Sequence, residues 1–233
     1  MSNDILFEFI GTTVLMLFGS GVNANMSLKA SFGYKGGWAV TTIGWGFGVF
    51  VAAFIADPYS GAHLNPALTV GLALSGKFHG SIAGYAIAQM LGAMFGVCLM
   101  FLMYKPHFDA EEGAADTKLG VFCTSPAVKS LFHNFMSEFI GTFMLMFAVL
   151  MVKGAQISGP FPVAIVIVAI GMALGGATGY AINPVRDLGP RIMHALLPIK
   201  GKRDSNWGYA WLPVVAPMCG AAAAAGFYLL LGI

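Results

Sequence analysis

The chain is poor in charge. Only 9% of its 233 residues are Asp, Glu, Lys or Arg, whereas a soluble globular domain carries about 25%. The formal net charge is +2, and Arg and Lys are scattered without a basic stripe, so nucleic acid is not expected as a partner. Cysteine is scarce too. Cys98, Cys123 and Cys219 show no CxxC spacing and no pairing pattern. No disulfide, metal site or cofactor is expected, and in the apolar runs around Cys98 and Cys219 a thiol reads as a small buried hydrophobe. Also missing is a basic segment or a small-residue cleavage site ahead of the apolar run that starts at Ile5. That run is expected to stay on the chain as a first span and not to be cleaved as a leader.

What the chain has instead is apolar surface. Hydrophobic residues make up 58% of it. A packed core of this size cannot absorb that much, so lipid must cover the rest. The composition predicts an all-α polytopic membrane protein. Six runs approach the ~20 residues needed to cross a hydrocarbon core: 5–26, 38–56, 81–104, 135–152, 161–179 and 207–231. Asp57-Pro58 is expected to end the second. Short polar connections fall at 29–37, 77–80 and 153–160. The one long polar stretch, 105–129, carries Asp109, Glu111, Glu112 and Asp116 and reads as a connecting loop that divides the chain. Trp207, Tyr209 and Trp211 suit a membrane–water boundary.

Two stretches do not read as simple crossings. Ser60 to Leu74 opens with Gly61-Ala62-His63-Leu64-Asn65-Pro66-Ala67, and Thr178 to Leu197 holds Gly179-Tyr180-Ala181-Ile182-Asn183-Pro184-Val185-Arg186-Asp187. Asn is a preferred N-cap and Pro suits the first helical position. Each stretch therefore predicts an extended loop that enters a short helix at its Asn. About ten residues of helix from Asn65 span ~15 Å, half of a ~30 Å hydrocarbon core. Two such half-helices meeting near the midplane would together cross it.

The pattern recurs. Glu8-Phe9-Ile10-Gly11-Thr12 returns as Glu138-Phe139-Ile140-Gly141-Thr142, followed in each case by an Asn-Pro element. The chain reads as a single domain, 1–233, of two repeats, about 1–108 and 130–233. Each holds three crossings and one re-entrant half-helix. Three is odd, so the second repeat must be inverted relative to the first, a device of transport proteins. Non-helical backbone at membrane depth survives only where it is buried in protein or lines a watery cavity. The two loops thus point to a channel or a binding site.

These residues resemble the major intrinsic protein family, the aquaporins and glycerol facilitators, over nearly the whole chain. Two Asn-Pro boxes in inverted repeats, with Arg186 directly after the second, are a specific match; Val185 stands where the family usually has Ala. Asp187 after Arg186 resembles the glycerol-facilitator branch. The resemblance implies a selectivity constriction at Trp45, Gly171, Tyr180 and Arg186. Gly171 would widen it by lacking a side chain, Trp45 and Tyr180 would form an apolar wall, and Arg186 would donate to hydroxyls. Tyr180 departs from the Phe common in glycerol facilitators. Carbonyls of Gly61, Ala62, His63, Leu64, Gly179, Tyr180, Ala181 and Ile182 would make an acceptor ladder, ending at amides of Asn65 and Asn183 free to donate into the lumen. The positive ends of both half-helices, set by Pro66 and Pro184, would oppose cations and protons.

Glu8 and Glu138, costly in an apolar span, read as supports that accept N–H bonds from the re-entrant loops. A proton relay is the alternative, and one carboxylate per half favours support. Asp187 is expected to brace its loop. His63 reads as a neutral histidine bonded to nearby backbone. Arg191 and His194 are placed at the C-terminal end of the second half-helix, and Gly92 and Gly220 at close helix contacts.

The expected activity is passive passage of small uncharged solutes, glycerol and similar polyols with water, without an enzymatic step. Dihydroxyacetone and protonated lactic acid are alternative cargoes. An ion-coupled transporter is less favoured because no carboxylate is left over for an ion. An intramembrane serine protease lacks its Gly-x-Ser-Gly, since Phe18 stands first in Phe18-Gly19-Ser20-Gly21. The resemblance further implies a homotetramer in a bacterial plasma membrane with both termini cytoplasmic. Lys29, Lys35, Lys105, Lys118, Lys129, Lys200, Lys202 and Arg203 then lie outside, against the positive-inside rule.

Overall fold

The computed structural model describes residues 2–152 and 159–232. Part of the predicted 153–160 connection, including Lys153, lies outside the described residues. The elements are α1 (Asn3–Ser27), α2 (Trp38–Ser60), α3 (Pro66–Leu74), α4 (Ile82–Ala110), α5 (Ala115–Phe122), α6 (Leu131–Met151), α7 (Phe161–Ala173), α8 (Pro184–Leu196) and α9 (Leu212–Leu231). Five of them, α1, α2, α4, α6 and α9, are long and apolar enough to cross a membrane, and α7 is a shorter apolar helix. No strand occurs among the described residues.

The helix ends follow their capping chemistry. Asn65 is extended (φ −159°) and accepts from the Ala67 N–H, with Pro66 as the first helical residue of α3. Asn183 (φ −155°) does the same for α8 with the N–H groups of Val185 and Arg186. At 1.5 Å per residue, α3 is about 14 Å long and α8 about 20 Å, together close to one hydrocarbon thickness.

Small residues bring the long helices together. A Cβ on Gly92 or Gly96 of α4 would strike the carbonyls of Phe9 or Thr13 on α1, and one on Gly220 of α9 would strike the carbonyl of Phe139 on α6. These pairs, α1 with α4 and α6 with α9, frame the two halves, and α2 meets α7 between them. The short helices cross over: α3 packs on α9, and α8 on α4. The main core joins residues of both halves, among them Leu15, Leu68, Met146 and Ile170.

Several boundaries differ from expectation. α2 runs through Asp57-Pro58 and stops only where Gly61 turns left-handed (φ 76°), because Pro58 removes a single intrahelical bond while Gly61 reverses the backbone. α7 ends at Ala173, followed by a 3-10 turn over Gly175–Ala177. α9 starts at Leu212, five residues late, and Tyr209 is buried while Trp207 and Trp211 are exposed. The 105–129 stretch is mostly helical: it holds the end of α4 and all of α5. Phe108, Val121 and Phe122 bury there with Leu28, Met100 and Phe101, which fixes a segment whose charges suggest a loop. Cys123 is buried, but Cys98 is half-buried and Cys219 exposed. All three thiols are free.

Candidate functional site

The loops before α3 and α8 are strained in the same pattern. Gly61, Ala62 and Leu64 have φ of 76°, 48° and 51°, and Gly179, Tyr180 and Ile182 have 84°, 39° and 43°. Four of these are not glycine, so other groups must hold the backbone in this sparsely populated region. Glu8 accepts from the N–H groups of His63 (2.9 Å) and Leu64 (2.7 Å), and from Ser60 Oγ and Gln89 Nε2 at 2.7 Å each. Glu138 accepts from the N–H groups of Ala181 (2.9 Å) and Ile182 (2.8 Å). Both carboxylates are fully buried.

The two Asn residues meet. Asn65 Nδ2 donates to the Ile182 carbonyl and Asn183 Nδ2 to the Leu64 carbonyl, each at 2.9 Å. So each amide has one of its two donors committed to the opposite loop, and two of the eight carbonyls expected to face the lumen are occupied by amides. Both Asn residues border a cavity of about 260 Å³. This cavity extends from Arg186 past the Asn pair to Asp57, Gly159 and Pro160. Its wall includes Trp45, Gly61, Ala62, His63, Leu64, Tyr180, Ala181 and Ile182.

A second cavity of about 280 Å³ lies between Asn23, Trp38, Thr124 and Gly179. Both cavities are bordered by Trp45, Tyr180 and Arg186. At this junction the Arg186 guanidinium carbon stands 4.0 Å from the centre of the Trp45 ring, within the range of a cation–π contact. Arg186 Nη1 and the Tyr180 hydroxyl are buried without a hydrogen-bond partner in the protein. A Trp45 indole N–H donates to Asn23 Oδ1 at 3.0 Å.

Gly171 lines neither cavity. A Cβ there would lie 2.7 Å from Thr42 Cγ2 and 2.9 Å from Tyr180 Cζ. The side chain that Gly171 lacks does not leave an opening, as expected from sequence; Tyr180 and Thr42 take the space. Trp38 completes that wall, donating to the Gly171 carbonyl at 2.8 Å and meeting the Tyr180 ring edge-on.

Behind α8, Asp187 accepts from the N–H and hydroxyl of Thr124 (2.8 and 2.6 Å) and pairs with Arg191 at 2.8 Å. Arg191 is fully buried in mid-helix, where it also donates to the carbonyls of Thr124 and Ser205. This corrects its expected place at the helix end. The cation there is Lys202, which donates to the carbonyls of His194, Ala195 and Leu197. His194 does sit in the last turn, with Nδ1 at 2.8 Å from Ser205 Oγ. His63 Nδ1 lies 3.1 Å from the Thr69 hydroxyl. Burial, with Asp187 nearby, pushes the Cys123 thiol well above its usual range, so it stays an unreactive thiol. Ser20 donates to the Met16 carbonyl. Among the described residues no cluster of His, Cys, Asp or Glu could hold a metal ion.

Sequence reasoning missed Asn23, Trp38, Gln89 and Thr124. None carries a local signal, since each acts on a residue distant in the chain.

A profile of the family described as major intrinsic protein matches residues 1–228. The chain is 49% identical to the glycerol uptake facilitator protein of Bacillus subtilis over 225 residues, covering 95% of this chain and 82% of the relative. It is 48% identical to that of Streptococcus pneumoniae (strain R6) over 228 residues, 96% and 97% of the two chains. The X-ray structure of the aquaglyceroporin from Plasmodium falciparum superposes with a TM-score of 0.86 at 33% identity, covering 97% of this chain and 94% of the other. By profile, identity and fold, this integral membrane protein belongs to the major intrinsic protein family.

Proposed function

We propose that the protein is a passive channel for glycerol and similar small uncharged polyols, with water, and that it excludes ions and protons. One observation carries this reading: the buried Arg186 Nη1, without a protein partner, lies at the junction of two cavities beside the Trp45 face. A polyol satisfies both surfaces at once, laying its carbon face on the indole and a hydroxyl on the guanidinium. The names of the bacterial relatives support it. Proton exclusion would rest on the two half-helix N-termini and the donor groups of Asn65 and Asn183, which orient water and interrupt a proton wire.

The roles follow from position. Trp45, Tyr180 and Arg186 would contact solute, with Gly171 making room for Tyr180. The loop residues from Gly61 to Asn65 and from Gly179 to Asn183 would line the path. Glu8, Glu138, Asp187, Pro66 and Pro184 would hold it in shape. The single domain would comprise inverted repeats of about 1–108 and 130–233 joined by 105–129. It would assemble as a homotetramer, with exposed groups such as Phe47, Phe54 and Leu102 facing lipid or neighbouring copies.

A second cargo class follows from the unpaired Tyr180 hydroxyl. A carbonyl oxygen can accept from this hydroxyl and from Arg186 together, which suits dihydroxyacetone or protonated lactic acid. Stopped-flow shrinkage and reswelling of reconstituted vesicles tests both readings. Glycerol, water, dihydroxyacetone and lactate at two pH values are the probes. Rapid glycerol reswelling without acidification of an entrapped pH dye is expected. Glycerol flux no faster than in empty vesicles, or proton flux comparable to solute flux, overturns the proposal.

A further inference from the structure

The Trp45 ring is held from behind by two residues of α1. A Cβ on Gly19 would lie 2.2–2.4 Å from three consecutive ring atoms, Cε3, Cζ3 and Cη2. Such equal distances mean contact with the face of the ring, not its edge. Arg186, 4.0 Å from the ring centre, must therefore stack on the other face. The indole is clamped between the backbone of α1 and the guanidinium. One turn along α1 from Gly19, Asn23 Oδ1 accepts the indole N–H at 3.0 Å, which fixes the rotation of the ring. The same amide donates to the Val121 carbonyl at 3.3 Å, so its own orientation is set by the end of α5. Two residues further, Thr124 reaches Asp187, the neighbour of Arg186 in sequence.

We propose that Asn23 and Gly19 set the size limit of the channel by positioning Trp45. Asn23 is a positioning residue: it borders the second cavity, but its effect on solute passes through the indole. The bond also removes the indole N–H from the polar groups a solute can use, leaving the ring as an apolar wall. Without the acceptor on Asn23 the ring is free to rotate off Arg186 and the junction widens. With a methyl on Gly19 the ring is driven toward Arg186 and the junction narrows. The two substitutions shift selectivity in opposite directions.

This inference rests on the polyol-channel reading. The experiment measures glycerol and ribitol, a five-carbon polyol, by stopped-flow reswelling of vesicles that hold the full-length protein. In Asn23→Leu the ribitol-to-glycerol permeability ratio is expected to rise about three- to tenfold, the scale of losing one hydrogen bond. In Gly19→Ala the ratio is expected to fall. In a Trp45→Phe background, which has no indole N–H, Asn23→Leu should leave the ratio where Trp45→Phe alone puts it. An unmoved ratio in Asn23→Leu, or equal loss of both fluxes, overturns the proposal and leaves Asn23 a stability residue. If Asn23→Leu does not insert, an unmoved or rising ratio in Gly19→Ala overturns it equally. A wild-type protein that passes neither polyol sinks the channel reading instead, which separates the two failures.

Discussion

Behind Asn65 the Glu8 carboxylate collects four donors, two of them side chains; behind Asn183 the equivalent Glu138 collects two backbone donors. One of the two side-chain donors, Ser60, ends α2, and the other, Gln89, lies on the neighbouring long helix. Gly92 and Gly220 hold equivalent places, each against the carbonyl of a matching Phe. Counted from them, the residue opposite Gln89 is Pro217, which has no donor. The second half makes up the difference elsewhere. Four residues after each Asn stand Thr69 and Asp187. Thr69 gathers partners of its own half, the Gln89 amide, the His63 ring and the Asn65 carbonyl. Asp187 uses an ion pair that reaches Thr124 and the carbonyl of Ser205. The half that carries Arg186 and Tyr180 is thus braced by segments outside the helical repeat, and the half without them is braced from within.

The sharpest way to break this asymmetry is Asp187→Asn. It leaves the buried Arg191 guanidinium without its counter-charge, a loss of about 3–5 kcal/mol. The counterpart Thr69→Val removes hydrogen bonds but no ion pair and should cost about 1–2 kcal/mol. Thermal unfolding of the purified variants compares them directly. Equal costs would mean that the charged brace is not the support of the second loop.

Gln89→Leu makes the first half more like the second by deleting the side-chain donor that Pro217 lacks. Glu8 keeps three donors, so the expected cost is one bond to the carboxylate and one to the Thr69 hydroxyl, about 1–3 kcal/mol. The unfolding midpoint in detergent reads it. A variant as stable as wild type would show that Glu8 does not need the Gln89 donor, just as Glu138 has none from Pro217.

Features legible in the sequence were those with a local chemical signature. Asn65-Pro66 and Asn183-Pro184 announce a cap and a first turn, and the apolar runs announce crossings, because these signals lie within a few residues of what they cause. The supports were legible in part: a lone carboxylate in an apolar run demands donors, which singles out Glu8 and Glu138 but not Gln89. The clamp on Trp45 was not legible, since its two partners lie 22 and 26 positions back on α1, in a run that reads only as apolar. Nor was the filled space at Gly171, which depends on where the Tyr180 ring swings. The excess of cations on the side that family topology puts outside has a local cause as well. Lys29, Lys105 and Arg203 pair with Glu111, Asp109 and Asp116, and Lys202 caps α8. The Lys105 pair lies within α4, whereas the Lys202, Arg203 and Lys29 contacts tie connecting segments down.

The smallest expected effect tests that last tie. Lys29 donates to Glu111 through both its backbone N–H (2.8 Å) and its ammonium (3.1 Å), linking the segment after α1 to the end of α4. Burial of the Glu111 carboxyl pushes its pKa up, but the two Lys29 bonds and the Lys29 and Lys118 charges together hold it below the usual carboxylate value. A carboxylate lowered in the folded state stabilises it at pH values above the ordinary carboxylate range, and that contribution fades as pH falls through the folded value. Glu111→Gln should therefore cost about 1 kcal/mol at neutral pH, and the difference should shrink as pH falls through the lowered folded value. Unfolding midpoints of both proteins across this range are expected to converge in acid. Curves that stay parallel would mean that Glu111 acts through packing alone, and that this connection, unlike the brace at Asp187, does not depend on its charge.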